Sequence, residues 1–199
     1  RRPLLRVATF LDPVRYADGL LLLEGLAAAR VAGTVPDTVL VLEVKDGQRG
    51  NSRPGDSLSS THPPSIPILT APRTLPLHQH RPVYTLGRRG LESHLRGLAP
   101  GTDVDAWAAA SGAEVAASPR GGEATWHGPG QAVLYPVASL RPLGLGARAY
   151  VDALEDAMIG AAARWGVRAD ARVGGKGPGA WVGERKLGAV GVRISRGVT

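Results

Sequence analysis

RGGEATWHGPGQAVLYP, residues 120–136, decides how this chain is read. Gly121 and Gly122 free the backbone to take positive φ or to lie close against a ligand. Gly128, Pro129 and Gly130 make a second tight turn just after His127. Two turns with Arg120 and His127 at their edges and an apolar strand behind them build a rigid loop site. The plain alternative is a Gly/Pro-rich hairpin turn that carries a surface histidine. Glycine spacing by itself does not choose between the two.

Outward from that stretch lie two further blocks, in order: PVYTLGRRG at 82–90 and ERKLGAVGVRISRGVT at 184–199. Together the three blocks resemble the signature of the lipoyl(octanoyl) transferases, members of the lipoate/biotin protein ligase superfamily. The resemblance covers most of the chain except about 45–79. It implies an α/β (α+β) fold, a mixed sheet flanked by helices. The family pattern continues beyond a segment like RGVT with HG, an Asn-containing stretch and a PCG motif bearing a nucleophilic cysteine. The expectation is therefore a single acyltransferase domain over 1–199, incomplete at its C-terminus. Because the chain starts at Arg1 rather than Met, a missing start is also expected, with an organelle-targeting segment left open.

Between the blocks the periodicities are local. Residues 4–10 alternate as a strand, and Asp12-Pro13 reads as the cap and first residue of a helix. That helix, about 13–32, carries Leu20, Leu23, Ala27 and Val31 at helical spacing and stops at Gly33. Residues 38–44 read as a buried strand. The stretch 45–79 is rich in Ser, Pro and Gly with little periodicity, and it reads as a disordered insertion in which His62 and His78 are solvated. Residues 82–86 form another strand, followed by Arg88 and Arg89 in a turn. That pair is either a solvated charged loop or a contact for an anionic carrier or for the acyl-bearing group. Thr102 and Asp105 resemble a capping box opening a helix to Ser111. Strands at 114–117 and 131–138 flank the central loop. A helix over 146–166 places Val151, Leu154, Met158, Ala161 and Trp165 on one face, with Trp165 in the core. Gly174, Gly175 and Lys176 lack the frame of a phosphate loop. Strands at 180–182 and 186–194 close a hairpin through Gly183, Glu184 and Arg185.

Composition sets bounds. The 199 residues are 43% hydrophobic and 21% charged, which suits one domain with a sizeable core. No apolar run approaches the roughly 18–20 residues of a membrane span, so no membrane role is expected. The net charge of +7 accompanies only 5% aromatic residues and scattered arginines, a poor match to a nucleic-acid binder. The same charge suits acidic protein partners. There is no cysteine, which removes disulfides, thiolate metal sites and a thiol nucleophile from these residues.

The resemblance implies a chemistry. In the family an octanoyl group passes from octanoyl-acyl carrier protein to an enzyme cysteine, then to a lysine of a lipoyl domain, as in 2-oxoacid dehydrogenase and glycine cleavage complexes. Carried over by motif, Lys186 is the lysine that lowers the thiol pKa. Arg120, Gly121, Gly122, Glu123, Ala124, Thr125, Trp126 and His127 become the substrate-binding loop. Ala189, Val190 and Gly191 become a second acyl-contacting segment, whose small residues suit a narrow apolar slot. His127 is counted with Lys186 as catalytic; it polarises the carbonyl, acts as a base, or braces the turn. No cofactor, nucleotide or metal is implied, and without the cysteine this chain is expected to be inactive. The compartment implied is mitochondrial in a eukaryote and cytoplasmic otherwise. Two rivals stand beside this expectation: an ATP-dependent lipoate or biotin protein ligase, and a non-catalytic domain that binds the carrier protein.

Overall fold

The computed structural model describes residues 5–8, 16–44, 78–90, 92–95, 97–171 and 177–199. The expected cap at Asp12-Pro13, the insertion over 45–77 and the glycine-rich loop at 174–176 lie outside them. Within them the chain is a mixed α/β structure with three sheets and three α-helices.

The first sheet is centred on β2 (Asp37–Val44). On one side β2 pairs antiparallel with β7 (Ala132–Val137). It pairs parallel with β1 (Leu5–Ala8) along its first half and with β3 (His78–His80) along its second. Residues 78 and 79, expected inside the insertion, thus already belong to the sheet. Thr38 and Leu40 alternate onto one buried face, as a half-covered strand requires. Helix α1 (Tyr16–Val31) lies against that sheet and puts Leu26 into a core with Leu40, Val137 and Val198. Leu22, Leu23 and Ala27 pack around it. The buried stripe is therefore rotated from the expected one: Leu26 is its centre, and Val31, in the last turn, is exposed. Gly33 ends the helix at φ +74°, and Arg30 of the last turn bonds Asp37 at the start of β2, 2.6 Å away.

The second sheet has β4 (Val83–Leu86) at its centre, parallel to β5 (Glu114–Ala117) and antiparallel to β6 (Ala124–His127). The second half of the expected central loop is thus itself a strand. Helix α2 (Val104–Ala110) precedes β5 and is capped by Asp103, whose carboxylate accepts the Ala106 amide at 2.7 Å. The cap is not Thr102: Asp103 is the residue with extended backbone just before the first turn, and its side chain reaches the third amide.

Helix α3 (Ala147–Ala163) packs on the third sheet, β8 (Asp170–Ala171), β9 (Gly179–Val182) and β10 (Arg185–Ala189), all antiparallel. Its inward face is Tyr150, Glu155 and Ala162, flanked by Met158 and Ile159. Ala161 and Trp165 are not on it. The helix ends at Ala163, so the 3.6-residue spacing does not extend to Trp165, which sits in the following turn 83% exposed. Strands β9 and β10 meet through a two-residue turn, Gly183-Glu184, with Arg185 already in the ladder. β10 is shorter than the expected strand to 194. Ala189 pairs with Gly179, the first residue of β9, and beyond it β10 has no ladder partner among the described residues.

Candidate functional site

The two blocks of sequence around 87 and 121 are joined backbone to backbone. Gly87 donates to the Glu123 carbonyl at 3.1 Å, Arg88 to that of Arg120 at 3.0 Å, and Arg89 to that of Gly122 at 3.0 Å. The turn after β4 is thus the scaffold of the loop before β6, while the Arg88 and Arg89 side chains are exposed. Only glycine fits at 87: a Cβ there would stand 2.6 Å from the Gly122 carbonyl oxygen and 2.7 Å from Arg120 Nη1.

Arg120 folds back over this turn. Its Nη2 donates to the Thr85 carbonyl at 2.8 Å and to Thr85 Oγ1 at 2.7 Å, and Nη1 donates to the Gly121 carbonyl at 3.0 Å. Burial pushes its guanidinium pKa below the usual arginine range; Tyr16 and Tyr135 act in the opposite sense. Thr85 is 0% exposed, and its hydroxyl lies 3.4 Å from His127 Nε2. On its other side His127 Nδ1 meets Gln131 Oε1 at 2.7 Å. The Gln131 amide nitrogen faces the Trp126 carbonyl, so its oxygen accepts and the network assigns the proton to Nδ1. Nε2 is then an acceptor facing the Thr85 hydroxyl.

Residues 124–127 alternate across the sheet. Thr125 pairs with Thr85 and His127 with Val83, which places both on the face that Arg120 covers. Trp126 pairs with Tyr84 on the other face, where its ring stacks at a tilt, 4.4 Å from Tyr84, with Trp107 beyond. Ala124 shares that face by the same alternation. Of the eight residues expected to form one loop, Arg120–Glu123 make the turn and Ala124–His127 divide between the two faces of β6.

The segment after β10 comes to the same loop. Gly121 donates to the Val192 carbonyl at 3.0 Å, which takes up a carbonyl that no longer has β9 beside it. Gly191 lies so close that a Cβ there would stand 2.7 Å from Arg120 Cδ and 3.2 Å from the Gly121 carbonyl oxygen. Lys186 is on β10 opposite Trp181, its Nζ 4.6 Å from the ring centroid and 3.3 Å from the Pro178 carbonyl. Desolvation lowers its pKa, while the charges of Glu123 and Glu155 raise it. A bulge separates Lys186 from Gly188, with Leu187 as the extra, exposed residue.

A family model described as lipoyl protein ligase A/B catalytic domain matches residues 65–199. The chain belongs to that family. Among curated relatives, the mitochondrial octanoyltransferase LIP2 of Arabidopsis thaliana is 40% identical over 190 residues, 95% of this chain and 62% of that protein. An octanoyltransferase of Xanthomonas campestris pv. campestris (strain B100) is 41% identical over 61% of this chain and 46% of its own length. One of Chromohalobacter salexigens is 45% identical over 62% and 50% respectively. The chain thus spans between about half and three-fifths of these relatives.

In this lipoyl protein ligase A/B domain, reasoning from sequence missed four residues that shape the site: Thr85, Gln131, Tyr135 and Glu155. Thr85 and Gln131 lie inside quoted motifs, two positions from Gly87 and four from His127 respectively. Tyr135 is the tyrosine of the YP pair; burial raises its pKa well above the ordinary phenol value. Glu155 had no visible signal, since a carboxylate in a helix reads as solvent-facing. Among the described residues no group of three or more His, Cys, Asp or Glu side chains could hold a metal ion, and no helix is long and apolar enough to cross a membrane.

Proposed function

We propose that this domain handles the acyl group in octanoyl transfer for protein lipoylation. Octanoyl-acyl carrier protein is the donor and the ε-amine of a lipoyl-domain lysine the acceptor, with residues 1–199 acting as one acyltransferase domain. In the first step a thiolate attacks the thioester carbonyl, and the carrier's phosphopantetheine thiol leaves. In the second the lipoyl-domain amine attacks the new thioester, giving an amide and returning the thiol. The thiol comes from outside these residues, which contain no cysteine. The mitochondrial relative and the bacterial ones support a mitochondrial location in a eukaryote and a cytoplasmic one in a bacterium.

The observation that carries this reading is convergence. The Arg120–Gly122 turn, the 189–191 segment and the strand bearing Lys186 are tied together by the Gly121–Val192 hydrogen bond and the close approach of Gly191 to Arg120. Backbone surfaces with small residues suit an extended acyl chain. Lys186, as an ammonium, stabilises a thiolate brought next to it. His127 joins it in the catalytic set. As the Nδ1–H tautomer it accepts at Nε2, so it acts first as a base, and donation to a carbonyl requires a second proton on the ring.

The test uses ¹⁵N-labelled residues 1–199 titrated with octanoyl-pantetheine, and separately with ATP. Shifts at 120–127 and 186–191 with the thioester and none with ATP are expected. Shifts with ATP and none with the thioester would replace this reading with an adenylating ligase. Intact mass after incubation with octanoyl-carrier protein should show no hydroxylamine-labile adduct; such an adduct would reveal a nucleophile other than cysteine.

A further inference from the structure

Helix α3 buries one carboxylate that the transfer chemistry leaves unused. Glu155 is 1% exposed, within the face that packs on the third sheet. A carboxylate is expensive to bury without partners, so its neighbours matter. Its Oε1 accepts the Gly179 amide at 2.8 Å. The carbonyl of the same peptide group, Pro178 C=O, accepts the Lys186 ammonium at 3.3 Å. One peptide unit therefore stands between a buried anion and the cation, its N–H turned to the first and its C=O to the second.

The geometry points to Glu155 as a positioning residue for Lys186, acting through the Pro178–Gly179 peptide. The inference rests on the proposed role of Lys186 for its functional meaning, but the linkage is a property of the fold. Two features fix the bridge. Gly179 has φ +147°, and a Cβ there would collide with the Gly188 carbonyl oxygen across the hairpin, so the peptide is seated where no side chain fits. Trp181, under the Lys186 Nζ, blocks the ammonium from the side. A peptide hydrogen-bonded to a charge at each end is polarised by both, which strengthens each bond. The carboxylate on α3 thus sets both where the ammonium sits and how firmly it keeps its proton. Among the described residues, the charges that act on Lys186 are, larger first, Glu123 from the turn before β6 and Glu155 from α3.

The experiment is an NMR titration of the Lys186 side chain in the full chain, following ¹³Cε and ¹⁵Nζ shifts. In Glu155→Gln the amide oxygen keeps an acceptor for Gly179 while the charge is gone. The Lys186 midpoint is expected to fall by roughly half a pH unit or more, since an opposite charge favours the charged form. Glu24→Gln on α1, where Glu24 pairs with Arg193, is the control and should leave it in place. Lys186→Met, which alters an exposed side chain, takes the donor from the far end of the same peptide and must move the Gly179 amide ¹H and ¹⁵N shifts. That second arm needs no change in the buried residue and decides the matter if Glu155→Gln fails to fold. If neither the Lys186 midpoint nor the Gly179 amide moves, the bridge is overturned. Octanoyl-pantetheine shifts that persist in that case would leave the proposed function standing, and their loss without a change in coupling would remove the function alone.

Discussion

Thr85 is the residue on which the site turns. It is fully buried, receives a hydrogen bond from Arg120 and faces the accepting nitrogen of His127. Thr85→Val keeps its shape and removes both interactions, leaving a buried guanidinium proton without an acceptor. A stability loss of about 1–3 kcal/mol is expected in urea unfolding, together with a changed His127 tautomer ratio in long-range ¹H–¹⁵N spectra. At His127 itself, replacement by Ala should slow octanoyl transfer roughly 10²-fold when a thiol is supplied, with folding unchanged by circular dichroism. An unaltered rate would leave His127 as a brace for the turn. Much of this residue-level picture was visible in the sequence, because turn chemistry is local: the glycines at 121 and 122 and the Gly-Pro-Gly at 128–130 announce their bends without reference to the rest of the chain. The division of Ala124–His127 between two faces was equally available from alternation, once those residues are taken as a strand rather than a loop.

At the scale of elements, legibility depends on where the hydrogen bonds go. Strand β10 falls short of the expected strand to 194, although apolar residues continue to Ile194, because β9 offers no partner beyond Gly179 among the described residues. The carbonyl of Val192 finds Gly121 instead. No local pattern encodes that choice, nor the bulge at Leu187. The misplacement of Trp165 has a related origin: spacing continues past Ala163, but the hydrogen-bond ladder does not. The bulge makes a prediction of its own. Deleting Leu187 removes the extra residue, leaves Gly188 and Ala189 opposite Ala180 and Gly179, and takes away the bend and added twist with which the bulge aims 189–191. Gly191 then no longer meets Arg120, and octanoyl-pantetheine should lose most of its affinity while the hairpin stays folded by amide exchange. A milder version is Gly191→Ala, whose Cβ presses on Arg120 Cδ; binding should weaken several-fold, and unchanged binding would separate the two segments functionally.

For the whole molecule, charge and buried phenols set the response to conditions. Burial, then the nearby Tyr16, raise the Tyr135 pKa, and Arg120 opposes them. A raised folded-state pKa gives stability that is complete below the unfolded value, near 10.0, and is lost as pH climbs through the folded one. Tyr135→Phe removes that ionisable group, so its urea midpoint should fall less steeply above about pH 10 than that of the parent. Binding of an acidic carrier by a chain of net charge +7 should weaken as salt rises from low to physiological ionic strength. The tryptophans offer a way to watch these events. Trp165 stands in water, while the Trp181 ring lies under the Lys186 ammonium. Replacing Trp165 by Phe would strip an iodide-quenchable, red-shifted emission from the spectrum. What remains includes an indole whose brightness follows the proton on Lys186, turning an ordinary fluorimeter into a titration device for the site.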